Sequence, residues 1–473
     1  MKEQGAIHFR ELRLAGMNSM FHGGASMVRH LAWQQFCIAV VLAATSFVTP
    51  SRVEAQVPAK AIGIGFGVDT TIADVHSIVA LTSAYLAKPD SSARARGLWS
   101  MGTKLDAGFG DIALTAYQGF NATIVAVTPA FPGDSVYAVK ILHATSSTSG
   151  KPVSALALQR LFAVRTPGSP FGWQLANALP RVTRDWRRRD VGRITFWYAP
   201  GQKESPSKAT ETARFVDSVA KLFAVTPPAH IDAYVTASTD EAWRAVGLDF
   251  FPDGSGPDTG FGGRSIPPAG IVLIGDPRVG EDYLHEFVHV VLSPTLHPGN
   301  ALFNEGVAVW LGGHDGHPAL QMYPLLRKYQ SDHPTVTIAP LLHGGAPGGS
   351  AASDAMYTTD ALIVQAIFHR SGIPGLLRFA KVVGSSDSVL ARLPEFVGLT
   401  AKESIDGWWR AETERVASML APGNGMSCST CASVVRGAAK CNVGPEPRNL
   451  ALQPQTTKAR TQTDARAPVN CCN

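Results

Sequence analysis

The order of hydrophobic and polar positions divides the chain into a strand-rich half followed by a helix-rich half. Between Ile62 and Pro180 short apolar runs are separated by Gly, Pro and Ser. The pattern predicts a helix around Ile72–Leu86, then strands at Ile112–Tyr117, Ala122–Val127, Ser135–His143 and Leu156–Val164. This describes a small α+β unit built on an antiparallel sheet. No catalytic constellation lies in it, so packing or substrate gathering are the roles it suggests. A second unit begins near Arg193, with strands at Ile194–Tyr198, Ile231–Val235 and Ile271–Ile274 and an amphipathic helix at Ala209–Phe223. Gly254–Gly263 is rich in Gly, Asp and Pro and reads as an exposed loop. From Glu281 onward the periodicity is helical, up to an amphipathic segment at Lys402–Leu420 that carries Trp408-Trp409. Strands first and helices afterwards give an α+β fold. The expected divisions are 1–55 (N-terminal extension and signal peptide), 56–192 (small α+β domain), 193–421 (the unit that carries the chemistry) and 422–473 (a polar tail expected to be disordered).

Composition agrees with a globular protein of two or three domains: 473 residues, 45% hydrophobic and 17% charged. The net charge of +5 is small for this length, and no basic stripe interleaved with aromatics runs through the chain, so nucleic acid is not an expected partner. The densest basic run, Arg184–Arg193, reads as a solvated face or domain junction more naturally than as a binding patch. Arg29 and His30 precede an uncharged stretch from Phe36 to Val48, and Val53-Glu54-Ala55 supplies small residues at cleavage spacing, which predicts a signal peptide cut after Ala55 and export. Met27 makes a more ordinary start for such a peptide than Met1. No run is long enough for a comfortable transmembrane helix. Beyond Cys37 the cysteines are Cys428, Cys431, Cys441, Cys471 and Cys472, so the segment from Gln56 to Pro422 owes nothing to disulfides.

The chemistry concentrates in Glu281-Asp-Tyr-Leu-His285-Glu286-Phe-Val-His289-Val-Val-Leu-Ser-Pro294. Leu284, Phe287, Val288 and Val291 recur at the spacing of one buried helical face. One helical turn separates His285 from His289, so both imidazoles point the same way, as two ligands of one tetrahedral ion require. Glu286 flanks them within reach of a water on that ion. Glu281 and Asp282 suit the positive end of the helix, and Pro294 stops it.

A third donor follows. Asn300-Ala-Leu-Phe303-Asn304-Glu305-Gly306-Val-Ala308-Val-Trp310-Leu311 places Phe303, Val307, Trp310 and Leu311 on one helical face and Glu305 in the first turns, with Gly312-Gly313 closing the helix. A catalytic zinc takes three protein ligands and keeps one open position, and two histidines with a glutamate is a standard set. Zinc held by His285, His289 and Glu305, with Glu286 as general base, is therefore the expected centre.

His285-Glu286-x-x-His289 followed by Asn304-Glu305-Gly306-x-Ala308 resembles the gluzincin metallopeptidases, specifically the branch of aminopeptidase N and leukotriene hydrolase and the smaller peptidase MA-like proteins. The resemblance covers roughly Arg193 to Leu420. It implies a small sheet followed by a mainly helical part, a peptide or protein substrate, and a catalytic tyrosine heading a later helix that ends in a Gly-containing turn. Met356-Tyr357 through Gly372 matches that shape, which carries the oxyanion-stabilising role onto Tyr357; a core tyrosine heading an amphipathic helix is the alternative. The interval from His289 to Glu305 is shorter than in the aminopeptidases, and the G-x-M-E-N motif that grips a free amine is absent, with Gly262–Gly270 in its neighbourhood. The peptidase MA-like group is the closer match. Ile271–Ile274 is expected to serve as the edge on which an extended peptide pairs, and Gly344–Ser353 as a mobile loop over the site or a linker. A non-catalytic zinc module that binds peptides, and a zinc hydrolase of another acyl group, are the competing readings.

Overall fold

The computed structural model describes residues 62–89, 92–113, 120–132, 135–144, 155–250, 262–296, 299–400 and 402–419. All belong to one compact unit, Lys60–Asn473. The expected signal segment, most of the Gly254–Gly263 loop, the six cysteines and the polar tail lie outside the described residues.

The first sheet runs β1 (Ile62–Ile64), β2 (Asn121–Pro129), β3 (Val136–Ala144), β4 (Ala155–Arg165) and β5 (Trp173–Ala176), antiparallel except where β1 lies parallel to β2. Helix α1 (Ala73–Ala87) covers one face, where Ile78, Leu81 and Leu86 pack with Ile124, Ile141, Leu161 and Trp173. Ile112 and Ala113, expected to open a strand, form a turn instead: the Ala113 amide donates to the Asp111 carboxylate at 3.1 Å, an Asx-type contact that competes with sheet pairing. Leu114–Tyr117 lie outside the described residues.

The second sheet has the order β10-β11-β8-β7-β6. Its strands are β6 (Arg187–Val191), β7 (Ile194–Tyr198), β8 (Ile231–Val235), β10 (Gly263–Ile266) and β11 (Ile271–Ile274). The centre, β7, β8 and β11, is parallel and flanked by antiparallel edges. β11 is buried at every position and β7 and β8 nearly so, as parallel strands covered on both faces must be. One face carries α2 (Pro206–Leu222) and the helical layer; the other packs Tyr234, Ile271 and Leu273 against Trp243 of α3 (Thr239–Ala245) and against Ala157 and Leu179. After α3, β9 (Leu248–Phe250) pairs with β4, so a strand from the second half completes the first sheet. The Arg184–Arg193 run contains edge strand β6, and its charges are matched. Arg187 and Arg189 meet Glu204, Arg188 meets Asp190, Arg184 meets Asp185 and Arg193 meets Asp217.

The helical layer comprises α4 (Leu284–Leu292), α5 (Ala301–Gly312), α6 (Ala319–Asp332), α7 (Ser350–Ala380), α8 (Ser386–Val397) and α9 (Ile405–Met419), shorter turns being left unnumbered. Gly372, at φ 59° and ψ −164°, breaks α7, and Pro374 opens the resumed segment, where its missing N–H costs nothing. Helix α4 is not amphipathic in place: Val290 and Leu292 are as buried as the expected face. It lies between α2, α5 and strands β10 and β11, which leaves no side for solvent except where its histidines emerge.

Candidate active site

Helix α4 is anchored before it begins. Glu281, in the turn preceding it, is buried, and its carboxylate accepts hydrogen bonds from the Tyr198 hydroxyl (2.9 Å) and the Ser205 amide (2.6 Å), while Thr212 donates to its carbonyl. From its position in the sequence this acid is expected to complement the positive end of the helix. It instead ties the start of α4 to β7 and α2. Helix α5 is fixed by Asn300, whose side chain caps the Phe303 amide at 3.0 Å and donates to the Phe379 carbonyl at 2.8 Å.

These anchors bring His285, His289 and Glu305 together. The two Nε2 atoms are 3.1 Å apart, and Glu305 Oε2 stands 3.3 Å from that of His285 and 3.6 Å from that of His289. A tetrahedron with ligand bonds of about 2.05 Å has edges of about 3.3 Å, so the donor set fits zinc in both chemistry and spacing. Gly313 carbonyl lies 3.0 Å from His285 Nδ1. A carbonyl only accepts, so that nitrogen carries the proton and Nε2 offers its lone pair to the cluster. Burial opposes the charge on His285. The Glu305 carboxylate, the Glu286 charge and the Gly313 carbonyl outweigh it and raise the imidazole to about 9. Burial likewise opposes ionisation of Glu305, yet the two imidazoles hold it well below the usual carboxylate range. A cation entering between these groups must displace the proton that Glu305 favours on His285.

The cluster opens into a cleft of about 710 Å³ lined also by Glu286, Tyr357, His314 and strand β10. Glu286 is 8% exposed, and its carboxylate has no hydrogen-bond partner among the described residues. Tyr357 sits two turns inside α7, not at its head, because the helix starts at Ser350. The segment expected as a loop or linker thus contributes Ser350–Ser353 to a helical first turn that lines the cleft. Burial, followed by the charges of Glu305 and Glu286, pushes the Tyr357 phenol above its ordinary range, so it keeps its proton and can donate. Strand β11 is not an edge: β10 and β8 flank it. The edge that faces the cleft is β10, with Gly263, Arg264 and Ser265 in the wall.

Sequence reasoning missed His314, Asp315 and Asp354, which line the same cleft. His314 and His317 exchange backbone hydrogen bonds (2.9 and 2.8 Å) across Asp315 (φ 48°) and Gly316 (φ 78°), a two-residue turn with both central residues left-handed. The signal was present, since Asp-Gly favours that turn. Asp360, one turn beyond Tyr357, was missed too. It is 5% exposed, one carboxylate oxygen has no hydrogen-bond partner among the described residues, and burial with the Glu305 charge raises it well above the usual carboxylate range.

No known family model and no curated protein matches the sequence. Among solved structures the chain is similar to an M1 zinc metallopeptidase from Deinococcus radiodurans, at 15% identity and TM-score 0.28, with 63% of each chain covered. A point mutant of that enzyme aligns at 16% identity and TM-score 0.26, with 65% of each chain covered. This chain thus spans 63% to 65% of the length of these structures. Identity and superposition this low leave the geometry of the cleft to carry the functional reading.

Proposed function

We propose that this chain is an exported zinc-dependent peptidase with His285, His289 and Glu305 as metal ligands, Glu286 as general base and Tyr357 as oxyanion donor. The observation that carries the reading is the convergence, in one cleft, of a zinc-spaced His/His/Glu donor set with a buried carboxylate that has no hydrogen-bond partner among the described residues. Zinc held there would polarise an acyl carbonyl and acidify water. Glu286 would take the proton of the attacking water and return it to the leaving nitrogen. Tyr357 would donate to the oxygen on which charge develops. Strand β10, an edge of its sheet among the described residues, would pair with the main chain of an extended substrate, with Arg264 and Ser265 beside it. Export rests on the sequence of residues 29–55. Among the described residues no helix is long and apolar enough to cross a membrane.

Digestion of a general peptide library, with and without a chelator and with Glu286→Gln beside the parent, tests the reading. Cleavage should be lost with chelator, return on adding zinc, and be absent in Glu286→Gln. Peptide cleavage that survives both treatments would end it.

A further inference from the structure

The segment between α5 and α6, Gly313–His317, touches both halves of the site, yet none of the roles proposed above falls to its side chains. It can lie so close only because of its glycines. A Cβ on Gly312, just before it, would meet the His285 amide at 2.6 Å, and one on Gly316 would meet Val279 at 2.6 Å. The two-residue turn then fixes the direction of His314, whose side chain is 14% exposed and whose ring stacks on Tyr357 with centroids 4.2 Å apart and planes at 26°. The edge of His314 faces Asp315 Oδ2 and Asp354 Oδ1, each 3.7 Å from Nε2. Asp315 is itself held by the Tyr283 hydroxyl at 3.2 Å, and Asp354 lies on α7 one turn before Tyr357. The Tyr357 hydroxyl makes no hydrogen bond among the described residues. Among the described residues, packing therefore sets where that phenol stands in the cleft.

We propose that His314 is a positioning residue for Tyr357, its ring face holding the phenol at the cleft while the tight turn sets the direction of the ring. The same strap presents the Gly313 carbonyl to His285, so one short segment aligns a proposed metal ligand and the proposed oxyanion donor. The kinetic consequence rests on the hydrolytic reading above; the placement itself does not.

The test uses the full chain labelled with 3-fluorotyrosine, the Tyr357 resonance being assigned by its loss in Tyr357→Phe. Removing the ring in His314→Ala should shift or broaden that resonance, and His314→Phe, which restores an aromatic face, should return it towards its parent position. On a quenched-fluorescence peptide, His314→Ala should lose up to about a hundredfold in kcat, the order expected for a displaced catalytic group, with KM changed less than about twofold. His314→Phe should recover most of that loss. In the Tyr357→Phe background His314→Ala should cost nothing further, because the group it positions is gone. Zinc content should stay at the parent level throughout. An unmoved Tyr357 resonance in His314→Ala, or losses that multiply in the double variant, would overturn the proposal. If the parent hydrolyses no peptide, the peptidase reading fails and the resonance still decides the placement.

Discussion

Gly306 follows the proposed ligand Glu305 and lies where α5 crosses α7. An ideal Cβ there would stand 2.5 Å from the Asp360 carbonyl oxygen and 2.7 Å from Val364 Cγ2. Ordinary contact begins at 3.4 Å, so Gly306→Ala must part the helices by about 1 Å. In a solvated helix the same substitution stabilises by about 1 kcal/mol. Here the overpacking costs about 1–3 kcal/mol, so the net effect is a loss of up to about 2 kcal/mol. The larger consequence is geometric. The displaced backbone carries Glu305 on one helix and, three residues before Asp360, Tyr357 on the other. A misplacement of about 1 Å between catalytic partners costs on the order of a hundredfold in rate. Thermal unfolding, zinc affinity by chelator competition and peptide turnover should all worsen in Gly306→Ala. Gly108→Ala is the control: that helical glycine is exposed and a Cβ there meets nothing within 4 Å, so propensity alone should raise its stability. A Gly306→Ala protein that melts higher and binds zinc and turns over peptide as the parent does would refute the close crossing and the reasoning built on it.

Three further outcomes are expected. His289→Ala should lose the zinc that co-purifies with the parent, because two remaining ligands rarely retain a catalytic zinc; elemental analysis of both preparations decides, and metal-free parent protein would overturn the ligand set. Glu286→Gln and Tyr357→Phe should both keep zinc and fold, the first losing turnover by several orders of magnitude at every pH and the second by roughly a hundredfold to a thousandfold in kcat with KM little changed. Near-parental turnover in Glu286→Gln would sink the mechanism, and in Tyr357→Phe would return that tyrosine to the core. Asp360 is raised above its unfolded value of 3.8 by burial and by Glu305. The unfolded chain therefore releases this proton first, and the residue subtracts stability as pH rises above 3.8, until it ionises in the fold as well. Asp360→Asn should remove that loss, so its advantage in melting temperature over the parent, both metal-free, should widen as pH rises above 3.8; a constant gap would mean that Asp360 is already ionised in the folded chain.

Much of the secondary structure was legible because its periodicity is local. Helix α1, strands β2–β4, β7, β8 and β11, and helices α2, α4, α5 and α9 fall within a few residues of where the apolar pattern put them. Strands β1, β5, β6, β9 and β10 were not anticipated. Most are short, and β6 is three arginines followed by an aspartate and a valine, so what makes them strands is a neighbour's backbone rather than their own pattern. The start of α7 was placed too late because Ser350-Ala-Ala-Ser353 carries little apolar signal and its preceding glycines resemble a loop.

Local patterns in the sequence account for the α+β order of elements and for the spacing that sets His285, Glu286 and His289 on one helix with Glu305 on the next, since each depends on residues a few positions apart. It took the folded chain to make β10 rather than β11 the sheet edge at the cleft, to have Glu281 anchor α4 to β7 and α2, to let two helices touch at Gly306, and to lay His314 on Tyr357. Each of these joins positions some ten to eighty residues apart, in contacts that side-chain periodicity does not encode and only the closing of the chain around a shared core brings about.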